Sequence, residues 1–139
     1  MKKLTFTFAF IFLSILSFAQ IEGKWKTIDD ESGQAKSIVE IYKGSNGQYY
    51  GKIQQLLMKP EHATCIKCSD DRKNKPLVGL EIIRGLQKDG NEFSGGTITD
   101  PKTGKTYKCT IKRDGDKLNV RGYIGFSLIG RTQTWQKVD

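Results

Sequence analysis

The residues with the widest chemical range cluster in "HATCIKCSDD", residues 62–71. Cys65 and Cys68 are two residues apart, His62 stands before them, and Asp70 and Asp71 follow. Three chemistries use such a set. A disulfide between Cys65 and Cys68 would rigidify the segment. Thiolates with an imidazole would suit tetrahedral zinc, with Cys109 as a fourth ligand. A C-x-x-C pair at a helix N-terminus would exchange disulfides, but it belongs to a βαβ setting that this chain lacks. The zinc reading lacks a second C-x-x-C or an H-x-x-x-H pair, and bridging would compete with thiolate ligation. The staple is the simplest reading in an oxidising compartment. Cys65 and Cys68 are therefore assigned to a disulfide, with no metal. A bridge from either one to Cys109 is the alternative. Three cysteines leave one over, and Cys109, on an apolar strand face, reads as a buried free thiol.

The compartment is read from the N-terminus. "MKKLTFTFAFIFLSILSFAQ" has a basic start at Lys2 and Lys3, an apolar run and a small-residue end. This is the pattern of a secretory leader over residues 1–19, cleaved near Ala19-Gln20, and it places the chain in the periplasm or outside the cell. The run is shorter than the roughly 20 residues of a bilayer span. No integral membrane segment follows it. Residues 20–139 suit a single domain. The full chain carries a net charge of +8, two charges of which lie in the leader. The rest are scattered singly, with no basic block or basic helix, so nucleic acid is not an expected partner.

Catalytic motifs are missing. There is no G-x-S-x-G, H-E-x-x-H or Walker-type loop, and a histidine triad would have to use His62. Asp29, Asp30 and Glu31 form an acidic cluster that could bind a cation or serve acid–base chemistry, but as a turn between strands it reads as solvated. The expectation is a protein without a cofactor and more a binder than an enzyme. A thiol- or metal-dependent enzyme working through residues 62–70 ranks last.

Strand signals dominate past the leader, with 15 glycines and 3 prolines. Eight strands are expected, at 23–29, 36–43, 48–57, 79–87, 91–98, 104–113, 116–124 and 130–138. The turn chemistry between them is explicit. "SNGQ", "KDGN" and "RDGD" carry the Asn-Gly and Asp-Gly pairs that tolerate the positive φ of tight hairpins. Tyr107, Cys109 and Ile111 alternate with Thr106, Lys108, Thr110 and Lys112, and Leu118, Val120 and Ile124 repeat the pattern. One apolar face at period two means a sheet covering a core. The expected fold is all-β, a single eight-stranded antiparallel up-and-down β-barrel, since closure removes exposed edges. A two-sheet sandwich is the alternative. The connection 58–78 is longer than ordinary loops. It is expected to hold a short helical turn and to lie over one mouth.

"GKWKT" opens the domain and "GRTQTWQK" closes it. In a barrel these ends meet, so Arg131 could stack on an indole, Trp25 or Trp135, at the base. On pattern alone, a core Trp25 with a solvent-facing Arg131 is an equal reading. The early G-x-W with a late arginine resembles the lipocalin (calycin) barrels. A longer resemblance runs through Gly23-Lys24-Trp25, "IDDESGQAKSIVEIY", "YYGKI", Cys65 and Cys68 with "KNKPLVGLEII", "GGTITDPKTGKTYKC" and "LNVRGYIGFSLIGRTQTW". In these blocks the chain is similar to an uncharacterised bacterial secreted family, domain of unknown function 2147. The resemblance implies a lipocalin-like barrel and no particular activity.

The functional expectation is a monomeric binder of a small apolar or amphipathic molecule in the barrel interior. Trp25, Tyr50, Ile53, Tyr107, Ile111, Val120, Arg131 and Trp135 are its candidate lining. Tyr49 is the alternative to its neighbour Tyr50. The competing expectation is an envelope interaction or structural module without a ligand. It would work through an apolar rim at Tyr123, Phe126, Leu128 and Ile129 that docks a partner or membrane.

Overall fold

The computed structural model describes residues 3, 5, 20–125 and 129–139. Of the expected leader only Lys3 and Thr5 are among them, and the rim residues Phe126 and Leu128 lie outside them. Eight strands follow in order: β1 Gly23–Ile28, β2 Ala35–Lys43, β3 Tyr49–Leu56, β4 Glu81–Asp89, β5 Glu92–Thr99, β6 Thr106–Asp114, β7 Lys117–Ile124 and β8 Ile129–Lys137. Each pairs antiparallel with the next, and β8 returns to β1 to close a barrel. That closure decides between barrel and sandwich. The turn chemistry works as expected: Gly90 and Gly115 take φ of 60° and 59° in the Asp-Gly turns, where a Cβ would be strained.

All the odd-to-even connections (β1–β2, β3–β4, β5–β6, β7–β8) lie at one end of the barrel, here called the upper end. The other connections, Gln20 and the C-terminus lie at the lower end. The lower half is solid. Trp25, Trp135, Phe93, Ile41, Leu86, Ile111 and Leu118 are at most 2% exposed. Side chains in such a core are close-packed, and small barrels are commonly filled this way. Tyr49 meets Phe93 edge-on at 4.9 Å between ring centres.

The β1–β8 seam is short, with register pairs only at Trp25↔Lys137 and Lys26↔Gln136. Side chains reinforce it at the base. The Trp25 indole N–H donates to the Ile21 carbonyl at 2.8 Å, and Ile21 is fully buried. The Arg113 guanidinium lies 5.5 Å from the Trp25 ring centre. It also donates to the carbonyls of Gln20 at 2.6 Å and Gly115 at 2.8 Å. An arginine does cross the first-strand tryptophan, but it is Arg113 of β6. Arg131, which one of the two equal readings placed there, stands exposed at the upper end, paired in register with Gly122, as the other reading had it. The reason is distance along β8: Arg131 is four residues above Trp135, or roughly 13 Å at strand rise.

The long connection runs from 57 to 80 without a helix. The expected helical turn is a pair of successive i→i+3 turns, Lys73 N–H to the Asp70 carbonyl and Lys75 N–H to that of Arg72. Cys65, Cys68, Leu77 and Leu80 bury into the core. The segment then folds down the outer wall of β4, where buried Arg72 pairs with Asp70 and donates to the Glu81 carbonyl. Arg84 pairs with Asp71 at 2.8 Å and Glu81 at 2.6 Å. These hydrogen bonds hold the carboxyls of Asp70 and Asp71 below their ordinary value. Gly104, in the β5–β6 turn, packs so closely on the segment that a Cβ would collide with the Lys67 carbonyl.

Arg113→Met keeps an apolar stem but removes the guanidinium from the base. It should lower stability by about 1–2 kcal/mol. Arg131→Met breaks an exposed ion pair and should cost under about 0.5 kcal/mol. Denaturant titration of both variants checks the ranking, and equal effects would contradict the placement.

Candidate functional site at the upper end

The disulfide comes first because it fixes the loop beside the site. Cys65 and Cys68 are bonded, with Cα atoms 5.5 Å apart. At 0% and 2% exposure, neither presents a sulfur to an attacking thiolate, so the pair is a staple and not a redox centre. The bond fits an oxidising compartment outside the cytoplasm. Cys109 is free and fully buried on β6, and burial pushes its thiol up to about 12. With Cys65 and Cys68 bonded to each other, it has no thiol left to pair with. His62 is half-exposed beside Glu61. Among the described residues no three His, Cys, Asp or Glu side chains converge as a metal site.

The upper end differs from the lower. The inward rows of β5, β6, β7 and β8 continue upward as Ile98, Tyr107, Gly122, Ile124, Ile129, Arg131 and Gln133. Burial declines along them. Ile98, Tyr107 and Gln133 are half-buried, while Ile124 is 59% and Ile129 71% exposed. Ile124 and Ile129 face each other as the last pair of the β7–β8 hairpin. Gly122 gives room: a Cβ there would already touch Tyr107 and Ile98 at 3.4 Å.

A polar chain crosses the same mouth. The Trp135 indole N–H donates to the Gln133 side-chain oxygen at 3.0 Å. The Gln133 amide donates to Asp30 at 2.9 Å, and Arg131 pairs with the same Asp30 oxygen at 2.9 Å. Asp30 sits in the β1–β2 turn, which Asp29 shapes by accepting from the Ser32 N–H and hydroxyl. Those two bonds lower the Asp29 carboxyl below its usual value. Thus Asp30 bridges side chain to side chain across the part of the seam where β1 and β8 share no backbone ladder.

Of the eight residues expected to line a site, Trp25, Ile53, Ile111, Val120 and Trp135 form the packed floor. Tyr107 and Arg131 border the mouth. Tyr50 is on the outer wall, a correction to the expected interior placement. It stacks on Tyr42 at 6.0 Å, and Tyr49 takes the inward position. Tyr49 shares the parity of the buried Gly51 and Ile53, which settles the choice between the neighbours. Sequence reasoning missed Asp30 and Gln133 as parts of the mouth. It took the first for a plain turn residue and passed over the second. Two grooves lie on the outer wall: about 280 Å³ between the long segment and β4, and about 230 Å³ beside Tyr42, Tyr50 and Glu81. Burial and the hydrogen bond to Glu81 push the Tyr42 hydroxyl up to about 12.

A closed eight-stranded up-and-down barrel, with an N-terminal tryptophan under an arginine at its base, is a lipocalin-like fold. A solved structure agrees. The barrel is similar to a protein from the human pathogen Helicobacter pylori, HP1028, described as belonging to the lipocalin family, with a TM-score of 0.75. The two share 18% identity, over 87% of this chain and 84% of that one, so the likeness establishes the fold. The chain itself belongs to the bacterial family described as "Uncharacterized protein conserved in bacteria (DUF2147)", which matches residues 23–137. A search of curated proteins gives no match.

Replacing Cys65 and Cys68 together by Ser should cost about 2 kcal/mol, from the entropy of a small loop, or roughly 5–10 °C in Tm. Calorimetry of the double variant checks this. A stapled protein loses melting temperature and retains its other properties.

Proposed function

We propose that this chain is a secreted or periplasmic binder of a small apolar or amphipathic molecule, held at the upper mouth of the barrel above a packed floor. The carrying observation is the gradient along the inward rows, from fully buried Ile111 and Leu118 to exposed Ile124 and Ile129. Apolar side chains left open at the end of a barrel interior, with a few polar groups beside them, are the makings of a small-molecule site. The apolar contacts would come from Ile98, Tyr107, Ile124 and Ile129. Arg131, Gln133 and Asp30 would meet the polar part. Trp25, Ile53, Ile111, Val120 and Trp135 set the depth to which a ligand descends. The leader over residues 1–19 and the buried disulfide support the compartment.

Native mass spectrometry of the protein from its own host tests this reading. The expected result is a chain beginning at Gln20 with an added mass, lost in Tyr107→Ala while the fold survives by circular dichroism. A chain at its bare mass, or an adduct indifferent to Tyr107, would contradict it. The competing reading, a module without a ligand, would give the bare mass.

A further inference from the structure

The base of the barrel holds chemistry that ligand binding at the mouth leaves unused. The leader reading puts the cut between Ala19 and Gln20, so the mature chain begins with glutamine. A glutamine at a free N-terminus carries a nucleophile and an electrophile on one residue. Its α-nitrogen and the carbon of its side-chain amide can close a five-membered ring. Whether that ring suits the fold depends on how the first residues are held.

Here the fold grips the main chain and leaves the side chain open. Ile21 is fully buried, and its carbonyl accepts the Trp25 indole N–H at 2.8 Å. The Gln20 carbonyl accepts from the Arg113 guanidinium at 2.6 Å. Gln20 itself is exposed, and its side chain makes no hydrogen bond among the described residues. Amine and amide are therefore free to meet while both carbonyls stay where they are. Arg113 adds a charge to this geometry. The nitrogen and carbonyl oxygen of one residue lie about 3 Å apart, so an α-ammonium at Gln20 would stand within roughly 6 Å of the guanidinium. Like charges at that separation repel. Arg113 makes no ion pair among the described residues, so no carboxylate at contact distance cancels its charge.

We propose that the mature N-terminus is a modification site, at which Gln20 cyclises to pyroglutamate. The α-nitrogen, as a free amine, attacks the side-chain Cδ. The Nα–Cδ bond forms and the Cδ–Nε2 bond breaks. Nε2 leaves as ammonia, taking the proton that the amine gives up. Nothing is oxidised or reduced, and no co-reactant enters. The ring contains Nα, Cα, Cβ, Cγ and Cδ, so the main-chain carbonyl stays outside it. The hydrogen bond from Arg113 is kept, and a neutral lactam N–H replaces the ammonium beside it. The segment that locks the base then ends in an uncharged group. The proposal rests on the leader reading for the position of the cut and is independent of any ligand.

Denaturing intact mass and N-terminal sequencing of the protein from its own host test it. The expected chain starts at residue 20, is lighter by one ammonia and resists Edman degradation. A chain from Gln20 with a free amine would overturn the modification and leave the leader reading standing. A start at any other residue would overturn both. Protein cut in vitro to begin at Gln20 gives a second readout. As the ammonia is lost, its melting temperature should rise by roughly 2–4 °C. In Arg113→Met the mass should still fall but the rise should vanish. Circular dichroism confirms that this variant folds. Cyclisation that leaves the unsubstituted protein's melting temperature unchanged, or raises both proteins equally, would overturn the part given to Arg113. The ligand's added mass is read under native conditions and is untouched by any of these results.

Discussion

An eight-stranded sheet becomes a barrel only if its first and last strands meet, and here they meet over two residue pairs, Trp25↔Lys137 and Lys26↔Gln136. So short a ladder is a weak closure on its own. Buried side chains complete it at the base, where Trp25, Ile21 and the Arg113 guanidinium lock the N-terminal segment under the barrel. Higher up the backbone ladder is missing, and the Asp30 carboxylate spans the gap to Arg131 and Gln133. The barrel is thus sealed by packing at one end and by exposed hydrogen bonds at the other. Packing burial is worth more than an exposed ion pair, so the two ends differ in rigidity as well as in composition.

That difference organises the rest of the molecule. A filled floor confines the proposed ligand to a shallow depth, because aromatic side chains occupy the barrel interior below. The disulfide and the Arg72 and Arg84 pairs brace the long segment against the outer wall of β4. They keep one side of the rim fixed. The opposite side, the β7–β8 hairpin, ends in the exposed Ile124 and Ile129 pair. A fixed edge facing an apolar one is a geometry suited to taking up an amphipathic molecule.

Much of this was legible from residue order. The Asn-Gly and Asp-Gly turns fixed the hairpins, and period-two alternation located every strand to within about two residues. Closure followed from strand number and edge avoidance. The side-chain partners were harder. Arg113 stands at the end of the row Tyr107, Cys109, Ile111, so its parity was visible. What hid it was the pull of Arg131, close in sequence to Trp135 but a long way up the strand. Tyr49 and Tyr50 differ by one residue and hence by one face, and only the parity of Gly51 and Ile53 separates them. Asp30 could not be found at all. A turn aspartate becomes part of a mouth only when closure brings β8 beneath it, and that is a long-range contact no local pattern encodes.

The central claim is that this barrel is solid below and receptive above. Amide chemical-shift mapping on isotopically labelled protein, titrated with a single-chain anionic amphiphile below its micelle concentration, addresses it most directly. Saturable shifts confined to residues 98, 107, 122–124 and 129–133, with the amides of Trp25, Phe93, Ile111 and Leu118 unmoved, are the predicted result. Shifts centred on those lower residues, or spread evenly over the outer wall, would contradict it.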